Sequence, residues 1–264
     1  MNTTLGFIGL FAIGVIASFT ASLGTGIGAI PVFFIRNVSQ RNQDFLLSLA
    51  AGIMLAASIY SLVEPGVAAA ILQVGSKNLA TAIFGLSILT GAYAILLVHR
   101  HLPHEHFFAA QTDTTQSDKL RRVWLLVMAI TLHNFPEGMA VGVGFGGEIN
   151  DGFALMTGIF IQNLPEGFVV ALALLTQGHS QSRAVAIASA TGLVETIGGI
   201  FGAAAVTIVS ATLPWAMGFA AGAMLFVISH EIIPETHRNG FETNATFGVI
   251  TGFIGMLLIN SLFS

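Results

Sequence analysis

Apolar runs of about 20 residues recur along this chain, and that recurrence restricts its fold more than any other feature. Each is long enough to cross a bilayer as a helix. The remaining composition offers no soluble alternative. Only 8% of the residues are charged, whereas a soluble domain carries roughly a quarter. The sequence therefore predicts an all-α integral membrane protein, one transmembrane domain over residues 1–264. Eight spans are expected, at 5–34, 45–71, 79–98, 123–145, 153–176, 184–209, 213–236 and 244–263. The first carries a Gly-rich stretch, "SLGTGIGAIP", read as a bend. No basic segment precedes it, so it reads as a retained helix and not a cleaved signal.

Basic residues set the orientation. Arg36 and Arg41 follow the first span, while Arg100, Lys119, Arg121 and Arg122 separate the third from the fourth. Arg183 precedes the sixth and Arg238 follows the seventh. All eight fall on one side and only Lys77 on the other, so both termini are expected outside the cytoplasm. Residues 99–122 form the one long polar connection, a cytoplasmic loop between the third and fourth spans. Its histidines (His99, His101, His104 and His106) could hold metal loosely or belong to a solvated linker. The chain has no cysteine, which excludes disulfides and thiolate metal sites.

Internal symmetry is visible as well. "AAGIML" (50–55) returns as "AAGAML" (220–225), and each copy leads toward an acidic, Pro-containing stretch, "SLVEPG" or "HEIIPETH". Five spans separate the copies, so they run in opposite directions. Such inverted repeats are common in secondary transporters.

A second repeat lies in the central spans: "LHNFPEGMA" (132–140) and "IQNLPEGFV" (161–169). Glu137, Glu166 and, in the next span, Glu195 sit about 17–21 Å into their helices, near the midplane. Three carboxylates there would cost on the order of 8–10 kcal/mol if nothing offset them. On a helix His133 and Glu137 are four apart, and Asn134 and Glu137 are three apart, so Glu137 projects between its two neighbours. Gln162, Asn163 and Glu166 repeat the arrangement on the antiparallel helix. Imidazole, carboxylates and amides around a dry pocket suit a divalent cation. Without thiolates the choice falls on Zn²⁺, Fe²⁺, Mn²⁺ or Cd²⁺ and not Cu⁺. Pro136 and Pro165 each free the carbonyl four residues back, at Leu132 and Ile161. Free carbonyls at that depth are tolerated where they line a polar cavity.

These motifs, together with "GLVETIGG" in the sixth span and "AAGAMLFVISHEIIPETH" in the seventh, resemble those of the ZIP (Zrt/Irt-like protein) metal transporters. The resemblance is in particular to the bacterial GufA-like branch. The resemblance covers the whole chain and implies import of divalent transition metals, zinc foremost, with iron, manganese and cadmium also carried. It implies a binuclear midplane site. His133, Glu137, Gln162 and Glu166 would hold the first ion; Asn134, Asn163 and Glu195 would hold the second, with Glu137 and Glu166 shared. Gln162 departs from a pattern in which many members have His, and Asn163 from one in which some have Asp. The resemblance further implies two rigid parts that slide past each other, often a homodimer, and a place in the bacterial inner (plasma) membrane. His230 and Glu231 would serve as exit ligands. Glu64 is a candidate at the way in by depth alone. Neither a prosthetic group nor a nucleic-acid partner is expected.

An intramembrane metallohydrolase fits poorly. "HEIIP" begins like H-E-x-x-H but has Pro234 where the second histidine is required, and no G-x-S-x-G turn occurs. A channel-like metal pore is the other alternative, distinguished by flux that does not saturate.

Overall fold

The computed structural model describes residues 3–35, 37–101 and 116–263, and every element among them is helical. α1 (Thr3–Ala29) ends in a 3₁₀ turn, Ile30–Phe33. The second span is composite: α2 (Gln40–Ala57), a π-helical segment (Ser58–Val63) and α3 (Glu64–Val74). α4 (Lys77–His101), α5 (Gln116–Gly144), α6 (Ile149–Thr176) and α7 (Gln181–Ile208) follow. The seventh span is composite again: α8 (Leu213–Val227), a second π-helical segment (Ile228–Ile232) and α9 (Ile233–Thr236). α10 (Glu242–Phe263) closes the chain. Eight of these helical stretches are long and apolar enough to cross a membrane.

Local chemistry sets the ends. Ser39 and Ser180 cap α2 and α7, accepting from the backbone N–H of Asn42 and Arg183, as N-cap hydroxyls do. Gly75, at φ 75°, ends α3 in the left-handed conformation that glycine takes without strain. Pro214 and Pro234 sit in the first turns of α8 and α9, where no helical N–H is needed. The polar connection expected at 99–122 is helical at both ends. α4 carries His99 and His101 in its last turn, and α5 begins at Gln116. His104 and His106 lie outside the described residues.

Helices α5 and α6 form the centre, and α4 and α10 lie at the edge with Leu86, Leu89, Tyr93, Phe247, Ile254 and Leu258 turned outward. Small residues let the inner helices approach: Ala50, Ala51, Ala56, Ala220, Ala221 and Ala223 are fully buried.

The structure bears out the inverted repeat and extends it. A shift of 170 residues takes Ala50 onto Ala220 and also takes the first π-helical residue, Ser58, onto the second, Ile228. Both composite spans thus loosen at the same place. The packing repeats too. A Cβ on Gly52 would strike the Val249 carbonyl of α10, and one on Gly222 the Ile88 carbonyl of α4. Likewise Gly28 of α1 abuts the Leu164 carbonyl of α6, and Gly198 of α7 the Phe135 carbonyl of α5.

One expectation fails. "SLGTGIGAIP" is not a bend, because α1 continues through its glycines to Ala29. Gly24 and Gly28 serve as a close-contact face: a Cβ on either would collide with a carbonyl of α6, at Phe160 or Leu164. In lipid, tight helix contact rewards glycine where water would have made it a helix breaker.

Candidate metal centre

The two N-x-P-E-G copies stay helical through Pro136 and Pro165. Their final glycines explain how a carboxylate from α7 joins them. Gly138 lies against the Glu195 carbonyl so closely that no side chain could intervene. α7 is thereby drawn onto α5 at the level of Glu137. His133, Asn134, Glu137, Gln162, Asn163, Glu166 and Glu195 are all buried, and Asn134, Glu137, Gln162, Asn163 and Glu195 have no exposed surface.

Hydrogen bonds connect part of this group. Gln162 Nε2 donates to Glu137 Oε2 at 2.7 Å and to Asn163 Oδ1 at 2.8 Å. Asn163 Nδ2 donates to Glu195 Oε2 at 2.7 Å and to the Ala21 carbonyl of α1 at 3.0 Å. Much is left over. Glu137 Oε1, Glu166 Oε2, Glu195 Oε1, Gln162 Oε1 and both side-chain polar atoms of Asn134 find no partner within the protein. Each such buried atom costs about 1–3 kcal/mol. A cluster of orphaned oxygens on three carboxylates and two amides is the arrangement a dehydrated cation would satisfy. Among the described residues, no three His, Asp or Glu side chains close on one point. The amides are therefore needed to complete a shell. A primary amide exchanges its N–H₂ for its oxygen by a half-turn, so Gln162 and Asn163 can serve either a carboxylate or a cation.

Glu231 enters this site from the seventh span. The sequence places it apart, near one membrane face. In the fold it pairs with His133 Nε2 through Oε2 and with His99 Nε2 through Oε1, the latter at 2.5 Å. An imidazole–carboxylate–imidazole chain thus leads from the central cluster to the last turn of α4. His230 is exposed; its ring packs edge-on to His99, centroids 5.4 Å apart, and against Phe226 at 4.8 Å. Glu64 is exposed at the start of α3. Because α3 continues to Val74, Glu64 lies ten residues, about 15 Å, inside that end of the span. The sequence places His99 at the start of the polar connection, and nothing in its local pattern signals that it faces Glu231.

A family model described as the ZIP zinc transporter matches residues 99–260. The chain belongs to that family. Among its relatives, the zinc transporter ZIPB of Bordetella bronchiseptica is 43% identical over 255 residues, covering 96% of this chain and 81% of that protein. The zinc transporter GufA of Myxococcus xanthus is 41% identical over 248 residues, with 94% and 97% covered. The zinc transporter ZupT of Stenotrophomonas maltophilia is 29% identical over 256 residues, 94% of each chain. The family consists of transporters and not enzymes, which agrees with the failure of the H-E-x-x-H motif at Pro234.

Proposed function

We propose that this ZIP family member imports zinc into the cytoplasm through two adjacent ion positions at the bilayer midplane. The supporting observation is the buried set of orphaned carboxylate and amide oxygens on α5, α6 and α7. His133, Glu137, Gln162 and Glu166 hold the first ion. Asn134, Asn163 and Glu195 hold the second, with Glu137 and Glu166 shared. Iron, manganese and cadmium are secondary cargoes of the same donor set, since imidazole with oxygen ligands accepts all of them.

A hydrated cation must lose its water to enter the cluster, and the carboxylates replace that water. Their own desolvation cost is offset when the positive charge arrives. Gln162 and Asn163, released from Glu137 and Glu195, turn their oxygens toward the ion. On leaving, the ion meets His133, whose Nε2 is shared with Glu231. Glu231 and His99 offer the next carboxylate and imidazole, so each step exchanges one ligand for another of similar kind. The unit of α1, α5, α6 and α7 carries the cluster, and the repeat-related pairs α2–α10 and α8–α4 flank it. Movement of the first group against the second would expose the cluster to each side in turn.

Uptake by reconstituted liposomes tests this reading. Zinc flux should saturate at low concentration, and iron, manganese and cadmium should compete with it. Flux that rises linearly with concentration would instead identify a pore.

A further inference from the structure

Four helices enclose the cluster, yet only three supply the ligands named above. The inverted repeat shows where the contribution of α1 belongs. The shift of 170 residues that relates the halves puts Thr25 where Glu195 stands. Packing agrees, because Gly167, which closes the second N-x-P-E-G copy, lies against the Thr25 carbonyl just as Gly138 lies against that of Glu195.

Thr25 is fully buried, and its Oγ1 has no partner within the protein. That is unusual in this chain. Thr20, Thr81, Thr131, Thr207 and Thr251 all donate to the carbonyl four residues back, the ordinary habit of a helical threonine. For Thr25 that carbonyl belongs to Ala21, and Ala21 accepts Asn163 Nδ2 instead. The Thr25 side chain lies against α7 at Gly192, one turn before Glu195; a Cβ there would come within 2.8 Å of its Cβ and 2.9 Å of Oγ1. On the mirror side, Glu195 is long enough to reach Asn163 at 2.7 Å. Thr25 is two bonds shorter and makes no such bond to Asn134, the counterpart of Asn163, and both polar atoms of Asn134 stay unpartnered.

We propose that Thr25 is a ligand of the second metal position, its hydroxyl oxygen binding the divalent ion held by Asn134, Asn163 and Glu195. The proposal rests on the binuclear reading above. A neutral hydroxyl in place of a second Glu195 keeps that position less negative, so its ion is held less tightly than one bound by four carboxylates.

Purified protein, tested with zinc and cadmium alone as probes, decides the matter. Wild type should bind two ions per chain. Thr25→Val keeps the shape and removes the oxygen, and should weaken the second ion by roughly tenfold, the scale of one polar contact. Thr25→Ser keeps the oxygen and should bind both ions. A purely packing role predicts the reverse, with Val harmless and Ser impaired, and that result would overturn the proposal. Thr25→Cys gives a chain with a single thiol, since the native sequence has none. Thiolate is a preferred ligand of soft ions, so this variant should show a cadmium–thiolate charge-transfer band at one thiolate per chain. Two bound cadmium ions without that band would also overturn it, even if Thr25→Val proved unstable. A wild type that binds one ion, with the band still present in Thr25→Cys, would remove the binuclear reading and leave Thr25 as a ligand.

Discussion

At the scale of single residues, the chemistry of the centre depends on which groups are shared. If Glu137 and Glu166 serve both ion positions, as proposed, Glu137→Ala or Glu166→Ala should abolish zinc uptake in a reconstituted assay. Neither should lower the melting temperature in detergent, since each removes a buried charge that costs about 2.5–3.5 kcal/mol at midplane depth. Near-normal uptake by either variant would refute the shared site. His133 and Glu195 separate the two positions. His133→Ala takes away the one imidazole inside the cluster and releases Glu231. It should sharply reduce zinc and iron uptake and shift what remains toward manganese, a harder ion suited to oxygen ligands. Glu195→Gln keeps an acceptor for Asn163 Nδ2 and leaves the first position whole, so transport should be slower but measurable. If Glu195→Gln is inactive while His133→Ala carries zinc normally, the second position is the principal one. The seven central residues were legible in sequence because ionisable and amide groups recur at helical spacing where only apolar ones are cheap. The sequence marks Glu231 as a candidate exit ligand but not as a neighbour of His133. Counting residues gives depth along a helix and says nothing about which helix it faces.

At the scale of elements, the spans could be read from hydropathy, and their internal detail could not. The second span appears in sequence as one apolar run, 45–71; the fold begins it at Gln40, ends it at Val74 and interrupts it with a π-helical segment. No residue type announces that interruption, although the repeat places a matching one in the seventh span. The glycines of α1 misled for a related reason. Their backbone freedom suggests a bend, but tertiary packing uses the missing side chain and keeps the helix intact. That contrast is testable. Gly138→Ala introduces a Cβ into the backbone of Glu195, and backbone cannot step aside cheaply. It should destabilise the protein by about 1–3 kcal/mol, as overpacking does, and impair transport. Gly85→Ala on α4 meets nothing within 4 Å and should leave both thermal stability and uptake unchanged. Equal effects in a thermal-shift series would mean that the α5–α7 contact has more slack than its geometry implies.

At the scale of the whole molecule, the charge asymmetry supports the proposed direction of transport. Eight crossings put both ends of the chain on one side. The linker before Lys77 shares that side, and the segment after His101 opens on the other. Eight of nine basic residues lie on the latter side, so it is expected to be cytoplasmic. The His133–Glu231–His99 chain runs toward that same side, ending in the last turn of α4. Topology and ligand order therefore support one joint proposal: ions leave the cluster into the cytoplasm. Because the native chain lacks cysteine, single probes report cleanly. In intact cells an impermeant thiol reagent should label Lys77→Cys and Ser264→Cys and spare Thr114→Cys until the membrane is opened. Labelling of Thr114→Cys in sealed cells would turn the ligand chain outward. The same structure would then describe an exporter, and uptake in the liposome assay would have to come from the inverted fraction alone.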